Sequence, residues 1–217
     1  NQFTCHSYHY QNEKELVADL RPLQLEPNTP PHPKFTASLK KEEYLNHIAS
    51  LKEELQAGNI YEINFCQAWY AQEAINPLEL FLELNRKHKA PFASFYRLND
   101  KYLLCFSPER YLQKTGTSVI SQPMKGTAPR SANISLDQQR KSGLLASEKE
   151  RAENVMIVDL VRNDLSRTAA KASVQVEELF GLYSFKAVHQ MISTISSTLS
   201  SQYDLSDVLK TTFPMGS

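Results

Sequence analysis

Lys125 is a candidate nucleophile because it stands where a predicted β-strand ends, in the stretch QPMKGTAPR. A lysine amine that is shielded from bulk water can lose its proton and act as a nucleophile or a base. Gly126 would let the backbone come close to a ligand, and Thr127 would add a hydroxyl. Considered singly, these three residues are equally compatible with a solvated surface loop.

Glu150 and Glu153 are spaced three residues apart on a predicted helix and therefore lie on one face of it. Such a pair suits Mg²⁺, which binds through one or two carboxylates and keeps waters or substrate oxygens as its other ligands. Two structural roles are equally open to the pair. Ser147 and Glu150 have the spacing of a capping box at a helix N-terminus. Lys149 and Arg151 could also simply balance the two negative charges.

Two further stretches contain titratable groups, and both can be interpreted as purely structural. The stretch SPER, with Glu109, is typical of a turn with a local ion pair. His189 stands in a strand-like segment among apolar residues, where a lone histidine is more often a hydrogen-bonded core residue than a base. Residue types and spacing alone therefore leave the role of each group undecided.

Helices and strands alternate in the first part of the chain. Apolar residues at every third or fourth position predict a helix over residues 38–58. β-branched and aromatic residues predict a strand over 60–70. Asn76 followed by Pro77 predicts the start of a second helix, over 76–88.

Antiparallel hairpins follow, with turn residues at 99–100 and 115–116. The polar stretch 130–147 is predicted to be a mobile loop, and Ser147 is predicted to cap a long helix that contains Glu153. This order of elements predicts an α+β fold built on antiparallel sheets. The last predicted elements are strands over 172–180 and 186–199 and a short helix from 206.

The composition is that of an ordinary globular protein, with 217 residues, 41% apolar and 22% charged. Its 24 basic and 24 acidic side chains give no net charge, and so no global field that would attract nucleic acid or an anionic membrane. No apolar run approaches the ~18 residues of a membrane helix, and the N-terminus lacks a signal-peptide layout. Three widely spaced cysteines without a CxxC pair complete the prediction of a cytoplasmic protein with reduced thiols.

Seven stretches, taken in order, resemble the successive signatures of chorismate-utilising enzymes. The resemblance runs from about Leu39 to Ser217, and the MKGT and RAENVMIVDLVRNDL blocks are the most specific. The resemblance implies a sandwich of antiparallel β-sheets flanked by helices, like that of anthranilate synthase component I, with Mg²⁺ as cofactor and chorismate as substrate. The stretches are GNIYEINFCQ, FSPERYL, QPMKGTAPR, SEKERAENVMIVDLVRNDLSR, SVQVEELF, SFKAVHQMISTISSTL and FPMGS.

Two positions distinguish the branches of this family. Isochorismate and salicylate synthases carry a water-activating lysine where this chain has Glu62, although many relatives have glutamine there. Anthranilate synthases carry alanine where this chain has Lys125. The resemblance therefore implies the aminodeoxychorismate synthase branch, in p-aminobenzoate and folate synthesis. An anthranilate or isochorismate synthase is the alternative within the family.

The resemblance also implies roles for individual residues. Lys125 would attack ring carbon C2, Glu109 would protonate the departing hydroxyl, and His189 would support or orient charge. Ammonia would come from a separate glutamine amidotransferase subunit. The residues implied to bind substrate are Gly126 and Thr127, and those implied to bind Mg²⁺ are Glu153 and Glu150.

Residues 1–34, which contain a run of prolines, are predicted to be an N-terminal remnant and linker, and 35–217 the chorismate-binding catalytic domain. The family continues past FPMGS with further metal-binding and carboxylate-binding motifs that this sequence does not contain. The chain as given, a truncated catalytic domain with about half of an active site, is therefore not expected to turn over chorismate. A non-catalytic module that binds a partner is the alternative from another functional class.

Overall fold

The structure, a computed structural model, describes residues 33–73 and 75–216. The predicted N-terminal remnant and linker, 1–34, therefore lies outside the described residues except for its last two positions. The bounds of the predicted catalytic domain, 35–217, stay a prediction. In the described part of the chain, no helix is long and apolar enough to cross a membrane.

Contacts within the described residues separate the chain into two compact units. Unit 1 holds residues 33–88 and 95–104, and unit 2 holds 89–94 and 105–216. Glu62 lies in unit 1, and every other candidate residue lies in unit 2. The groups with possible chemistry are thus carried by a single compact unit.

The first elements along the chain are β1 (Thr36–Ala37), α1 (Lys41–Gln56), β2 (Trp69–Tyr70), α2 (Pro77–His88), β3 (Phe92–Leu98) and β4 (Lys101–Ser107). Helix α1 confirms the helix predicted over 38–58. Its C-terminus is a Schellman motif, in which Gly58 at φ +74° donates its N–H to the carbonyl of Leu55 (3.2 Å) and Asn59 donates to that of Glu54 (3.0 Å). The predicted glycine cap is therefore present.

The strand predicted over 60–70 is wrong for most of its length. Only Trp69 and Tyr70 form β2, which pairs antiparallel with Thr36 and Ala37 of β1. A strand is held by backbone hydrogen bonds to a neighbour, and β-branched side chains do not replace them. Among the described residues, only the last two of this stretch have such a neighbour, and the rest is irregular.

Two other turn signals of the sequence are confirmed. Asn76 is the N-cap of α2, because its Oδ1 accepts the N–H groups of Leu78 (3.1 Å) and Glu79 (3.3 Å). β3 and β4 form a two-stranded sheet joined at Asn99 and Asp100. Asn99 has a φ of +54°, a conformation that asparagine tolerates better than most residues.

Unit 2 contains a five-stranded sheet and three helices: β5 (Arg110–Thr115), β6 (Ser118–Gln122), β7 (Met124–Pro129), α3 (Ile134–Ala146), α4 (Glu148–Ser166), β8 (Gln175–Ser184), β9 (Val188–Thr198) and α5 (Leu205–Thr212). β9 is the central strand, and all pairings in this sheet are antiparallel. β8 pairs with one edge of β9, while β6 and then β7 pair with the other edge. The predicted α+β class with antiparallel sheets and flanking helices is confirmed.

Pro123 joins β6 to β7 along the same edge of β9. Its carbonyl accepts the N–H of Ser193 (3.1 Å), so the pairing with β9 continues across the proline. Proline has no N–H to donate and is tolerated at such an interruption between two strand segments. The strand predicted to end before Lys125 therefore resumes as β7 and carries Lys125 with it.

The mobile loop predicted over 130–147 is wrong, because most of it forms helix α3. Asn133 is its N-cap, with Oδ1 accepting the N–H of Leu136 (3.0 Å). Leu144 is buried, which ties the helix to the rest of unit 2. The prediction relied on polarity and on Gly143, but glutamine, lysine and arginine are good helix formers, and one glycine is tolerated.

The core of unit 2 lies between the sheet and helices α4 and α5. β6 and β9 contribute one side of it, and the two helices contribute the other. Burial of these apolar side chains holds α4 against the sheet. It thereby also positions Glu150 and Glu153, which lie in the first half of that helix. The clustered core residues are Val119, Val158, Leu165, Ile195, Leu199 and Val208.

Candidate active site

Lys125 and Gly126 form a β-bulge in β7. Met124 pairs with Ile192 and Thr127 pairs with Gln190, so two residues of β7 face one residue of β9. Gly126 has a φ of +86°, which glycine adopts without a steric penalty. Bulges re-aim side chains and are frequent beside active sites. The half-buried Lys125 is therefore held by a local feature that only the pairing with β9 reveals.

Glu109 is brought next to this bulge. Its Oε1 accepts the N–H of Met124 at 3.0 Å, one residue before Lys125. The turn that carries Glu109 is held by Ser107, whose Oγ accepts the N–H of Glu109 (3.2 Å) and donates to its carbonyl (3.0 Å). The structure thus joins two groups that are sixteen positions apart in sequence.

The local ion pair that SPER suggested is not formed among the described residues. The guanidinium of Arg110 donates instead to Gln122 and Gln113 and lies 4.9 Å from the ring centroid of Phe92. The Glu109 carboxylate therefore binds the N–H of Met124 instead of Arg110, and it lies beside the bulge.

Burial raises the pKa of the Glu109 carboxyl, while the N–H of Met124 and the positive charge of Lys125 act to lower it. The net direction is upward, so Glu109 keeps its proton to a higher pH than an ordinary glutamate. A half-buried carboxyl that holds a proton beside an amine has the properties of a general acid.

Removing the charge of Lys125 is expected to raise the pKa of Glu109 further, because that charge stabilises the carboxylate. The change is Lys125→Met, and the pKa is read from a ¹³C NMR titration of the glutamate side-chain carboxyls. The exposed Lys171, changed to Met, is the matched control and should leave the pKa of Glu109 where it is. A lower pKa in Lys125→Met would contradict the arrangement.

Glu150 and Glu153 lie together on the first turns of α4. Ser147 caps this helix, with Oγ accepting the N–H of Glu150 (3.3 Å). Lys149 lies between the two carboxylates, its Nζ being 3.8 Å from Oε1 of Glu150 and 3.5 Å from Oε1 of Glu153. Both acids thus face one cationic position, and the lysine that fills it has a largely exposed side chain.

These carboxylates fit Mg²⁺ in its usual protein setting. Among the residues that the structure describes, no group of three or more His, Cys, Asp or Glu side chains could form a complete metal cage. Mg²⁺ commonly takes only one or two carboxylates and fills its other positions with waters and substrate oxygens. The half-buried pair Glu150 and Glu153 offers the one or two carboxylates that such a site needs. Lys149 also balances the charge of the pair, which is the structural role that the sequence left open.

The bulge and the side chain of Glu150 are neighbours. A Cβ at Gly126 would lie 3.1 Å from Oε2 of Glu150 and 3.1 Å from Cδ1 of Leu144. Position 126 therefore accepts only glycine without movement of α3 or α4 side chains. This contact places Glu150 beside the segment of β7 that carries Lys125 and binds Glu109.

Alanine at Gly126 is expected to destabilise the protein by about 1–2 kcal/mol, the cost of a left-handed residue that carries a Cβ, with the contact to Glu150 adding to it. Two other glycines separate these effects. Gly116 has φ +59° and open space around it. Gly116→Ala should therefore lower the free energy of unfolding only by the cost of the left-handed backbone. Gly143 lies in α3 with nothing near its Cβ position, so Gly143→Ala should stabilise by roughly 0.5–1 kcal/mol.

Thermal unfolding of the three variants tests this order. The midpoint should rise for Gly143→Ala, fall for Gly116→Ala and fall furthest for Gly126→Ala. A Gly126→Ala protein at least as stable as Gly116→Ala would show that the bulge does not press against Glu150.

Helix α4 is pinned to the sheet by a residue next to Glu153. Asn154 is fully buried, and its Oδ1 accepts the Oγ–H of Ser193 in β9 (2.5 Å). Ser193 Oγ in turn accepts the N–H of Phe180 (3.1 Å), so one serine joins α4 to β8 and β9. The Nδ2 of Asn154 has no hydrogen-bond partner among the described residues.

His189 is buried, with 1% of its surface exposed, and both ring nitrogens are occupied. Nδ1 is 2.9 Å from Oγ of Ser184, and Nε2 is 3.1 Å from Oδ1 of Asp137. Asp137 also accepts from Nε of Arg130 (3.0 and 3.1 Å) and from the N–H of Ser131 (2.8 Å). The hydrogen-bonded setting expected for a lone histidine in a strand is what the structure shows.

Thr127 is not brought together with His189. Its Oγ1 donates to Oε1 of Gln190 (3.0 Å), and neighbouring residues of a strand point to opposite faces of the sheet. Gln190 and Thr127 therefore lie on the face opposite to His189, which faces α3 through Asp137. Thr127 follows the bulge directly, but its hydroxyl lies on the opposite face of the sheet from His189.

Sequence reasoning missed the two partners of His189, which are Ser184 and Asp137, and also Arg130, which donates to Asp137. Asp137 and Arg130 fall in the stretch predicted to be a loop, where a charged residue carries little information. The one usable signal was Asn133, whose N-cap would have predicted α3 and placed Asp137 in its first turn.

Comparison with known proteins gives consistent results. A family model described as "chorismate binding enzyme" matches residues 1–217. Aminodeoxychorismate synthase component 1 of Escherichia coli (strain K12) is 39% identical over 183 residues, which cover 84% of this chain and 40% of that protein. Anthranilate synthase component 1 of Saccharolobus solfataricus is 30% identical over 182 residues, 84% of this chain and 43% of that protein.

Among solved structures, anthranilate synthase component I from Streptococcus pneumoniae has a TM-score of 0.78 at 24% identity. That match covers 94% of this chain and 46% of the other chain. At this identity the likeness shows the fold, which is that of anthranilate synthase component I. The chain spans about 40% of the length of the curated aminodeoxychorismate synthases that it matches.

Proposed function

The chain belongs to the chorismate binding enzyme family, and we propose that it is part of component I of an aminodeoxychorismate synthase. This enzyme would convert chorismate and ammonia to 4-amino-4-deoxychorismate. The observation that carries the proposal is Lys125 in the bulge of β7, with the carboxyl of Glu109 bound to the preceding N–H. Relatives named aminodeoxychorismate synthase component 1, at 39% identity, support the choice of branch.

The first step would be the attack of the Lys125 amine on ring carbon C2. A bond forms between nitrogen and C2, the two conjugated ring double bonds shift, and the bond from C4 to its hydroxyl breaks. Glu109 would deliver the proton with which this hydroxyl leaves as water, and the raised pKa of its carboxyl supports that role. The lysine nitrogen gives up one proton to solvent as it becomes a secondary amine.

The second step would reverse the first with a new nucleophile. Ammonia adds at C4, the two double bonds shift back, and the bond between C2 and Lys125 breaks as the lysine recovers a proton from solvent. Glu109, now a carboxylate, would take up the proton that the incoming nitrogen loses. The enzyme returns to its starting state with one hydroxyl of the substrate exchanged for an amine.

Glu153 and Glu150 would hold Mg²⁺ on the first turns of α4. When bound, Mg²⁺ would neutralise carboxylate charge on a dianionic substrate that a protein of zero net charge does not otherwise attract. Gly126 lets the backbone of β7 approach Glu150 closely, which would keep substrate between Lys125 and the metal.

Ammonia would be supplied by a glutamine amidotransferase subunit, and the product would feed p-aminobenzoate and folate synthesis. If so, ammonium salts should replace the partner in the test tube, while glutamine should support the reaction only when the partner is present.

Product identity tests the proposed function. Full-length protein that contains this chain is incubated with chorismate, Mg²⁺ and ammonium, and the products are identified by mass spectrometry. The expected product is 4-amino-4-deoxychorismate. Anthranilate or isochorismate as the main product would overturn the assignment to this branch.

Glu153→Gln is expected to weaken Mg²⁺ binding, because glutamine offers a neutral oxygen in place of a carboxylate. The Mg²⁺ concentration that gives half-maximal activity should rise at least about tenfold, an effect in the range of lost metal-site interactions. Glu148→Gln, in the first turn of the same helix and exposed, is the matched control and should leave that concentration unchanged. Equal behaviour of the two variants would remove Glu153 from the metal site.

A further inference from the structure

Four side chains of unit 2 form a continuous hydrogen-bonded chain that passes through the buried ring of His189. Arg130 donates to Asp137, Asp137 binds Nε2 of His189, and Nδ1 of His189 meets the hydroxyl of Ser184. His189 is buried, whereas Ser184 is exposed. Arg130 is exposed as well, so the chain has a charged end at Arg130 and a hydroxyl end at Ser184.

The Asp137 carboxylate fixes which nitrogen of His189 carries a proton. The guanidinium of Arg130, the N–H of Ser131 and His189 hold the pKa of the Asp137 carboxyl well below its usual range. An ionised carboxylate only accepts hydrogen bonds, so Nε2 of His189 must be the donor at this contact. In the neutral ring, Nδ1 is then an acceptor, and the Ser184 hydroxyl donates its hydrogen bond to it.

Asp137 is itself held rigidly. Arg130 is fixed on its other side by a hydrogen bond from Nη1 to the carbonyl of Phe185 (2.9 Å). Arg140, one turn further along α3 than Asp137, donates to the carbonyls of Pro129 and Arg130. The position of the carboxylate is thus set by α3, by the end of β7 and by the turn between β8 and β9.

This network lies along the same strand as the candidate nucleophile. Leu144 of α3 faces Gly126, and Asp137 lies seven residues earlier on that helix, about 10 Å along its axis. His189 pairs with Ala128 of β7, three residues beyond Lys125. Helix α3 therefore connects the bulge to His189. The distance of about 10 Å along the helix is comparable with the length of a small dicarboxylic substrate.

We propose that Asp137 is a positioning residue, which fixes His189 with Nε2 protonated and so orients the Ser184 hydroxyl at the surface. Because the Ser184 hydroxyl donates its hydrogen bond to Nδ1, its oxygen is left as an acceptor. It suits an N–H or O–H donor of the reactants and not a carboxylate oxygen. The part of this inference that concerns turnover rests on the proposed function, and the part that concerns the ring does not.

The experiment compares full-length wild-type protein with Asp137→Asn, Asp137→Glu and the control Asp159→Asn, an exposed aspartate of α4 that pairs with Arg162. Nitrogen-15 NMR of the histidine side chains reports the protonated nitrogen of His189. Wild type and Asp159→Asn should show Nε2–H. Asp137→Asn should lose this preference, because an amide can donate to Nε2, and Asp137→Glu should restore it in part.

The kinetic readout separates positioning from binding. Asp137→Asn should lower kcat by roughly 10- to 100-fold, the range found when a partner that orients a functional histidine is removed, with a smaller change in KM. A variant that keeps the Nε2–H tautomer, or one that loses it and turns over normally, overturns the inference. Wild-type protein that makes no aminodeoxychorismate refutes the proposed function instead, and the NMR spectra still decide what Asp137 does.

Discussion

Lys125→Ala is expected to abolish formation of 4-amino-4-deoxychorismate by the full-length protein, with a loss on the order of 10³-fold or more. The reason is that the proposed route passes through a bond between this amine and C2, and a methyl group cannot form it. Lys125 is half-buried in a bulge whose geometry depends on Gly126. The substitution should therefore spare the fold, which thermal unfolding would verify.

Lys171→Ala is the control for a lost surface charge in the same unit, since Lys171 is exposed. It should retain wild-type turnover. A Lys125→Ala enzyme that keeps activity within tenfold of wild type would show that the reaction proceeds without this nucleophile, and the mechanism would have to be abandoned.

Glu109→Gln is the second change with a large expected effect, a loss of about 10²–10⁴-fold in kcat. Glutamine keeps an oxygen that can accept the Met124 N–H, so the turn should stay in place while the transferable proton is lost. Glu109→Ala would also leave that N–H without its partner and lose stability, by about 1–3 kcal/mol for a buried donor. The glutamine variant is therefore the cleaner test of chemistry, and wild-type activity in it would exclude Glu109 as the acid.

The pH dependence of Glu109 follows from the direction of its shift. Because burial raises the pKa of this carboxyl in the folded protein, the folded state favours the protonated form, and stability falls as pH rises from the unfolded pKa to the folded pKa. A reaction that needs protonated Glu109 loses rate over the same rise. Glu109→Gln should remove both dependences, which can be followed by unfolding and by rate measurements across pH.

Much of the fold could be predicted from local signals. The Asn76 cap and the Gly58 terminus are each decided by a few neighbouring residues, and both are present in the structure. The predictions failed where local and distant information disagreed. The 60–70 stretch has the composition of a strand, but only its last two residues find a partner strand among the described residues.

The sequence could predict which residues belong to the candidate site, but not how the fold brings them together. Glu109 and Lys125 are joined through Met124 N–H by a long-range fold contact. The bulge at Gly126 depends on the register with β9, which no spacing in β7 reveals. Asp137 escaped notice because its contact with His189 spans 52 positions and requires a helix that was predicted to be a loop.

Trapping the covalent intermediate tests the central claim most directly. Full-length protein is mixed with chorismate and Mg²⁺ in the absence of ammonia, quenched, digested and examined by peptide mass spectrometry. The expected result is a peptide that contains Lys125 and has gained the mass of chorismate less one water, and that loses it when ammonium is added before quenching. An unmodified Lys125 in protein that forms product as soon as ammonium is supplied, or the same mass on another residue, would contradict the claim.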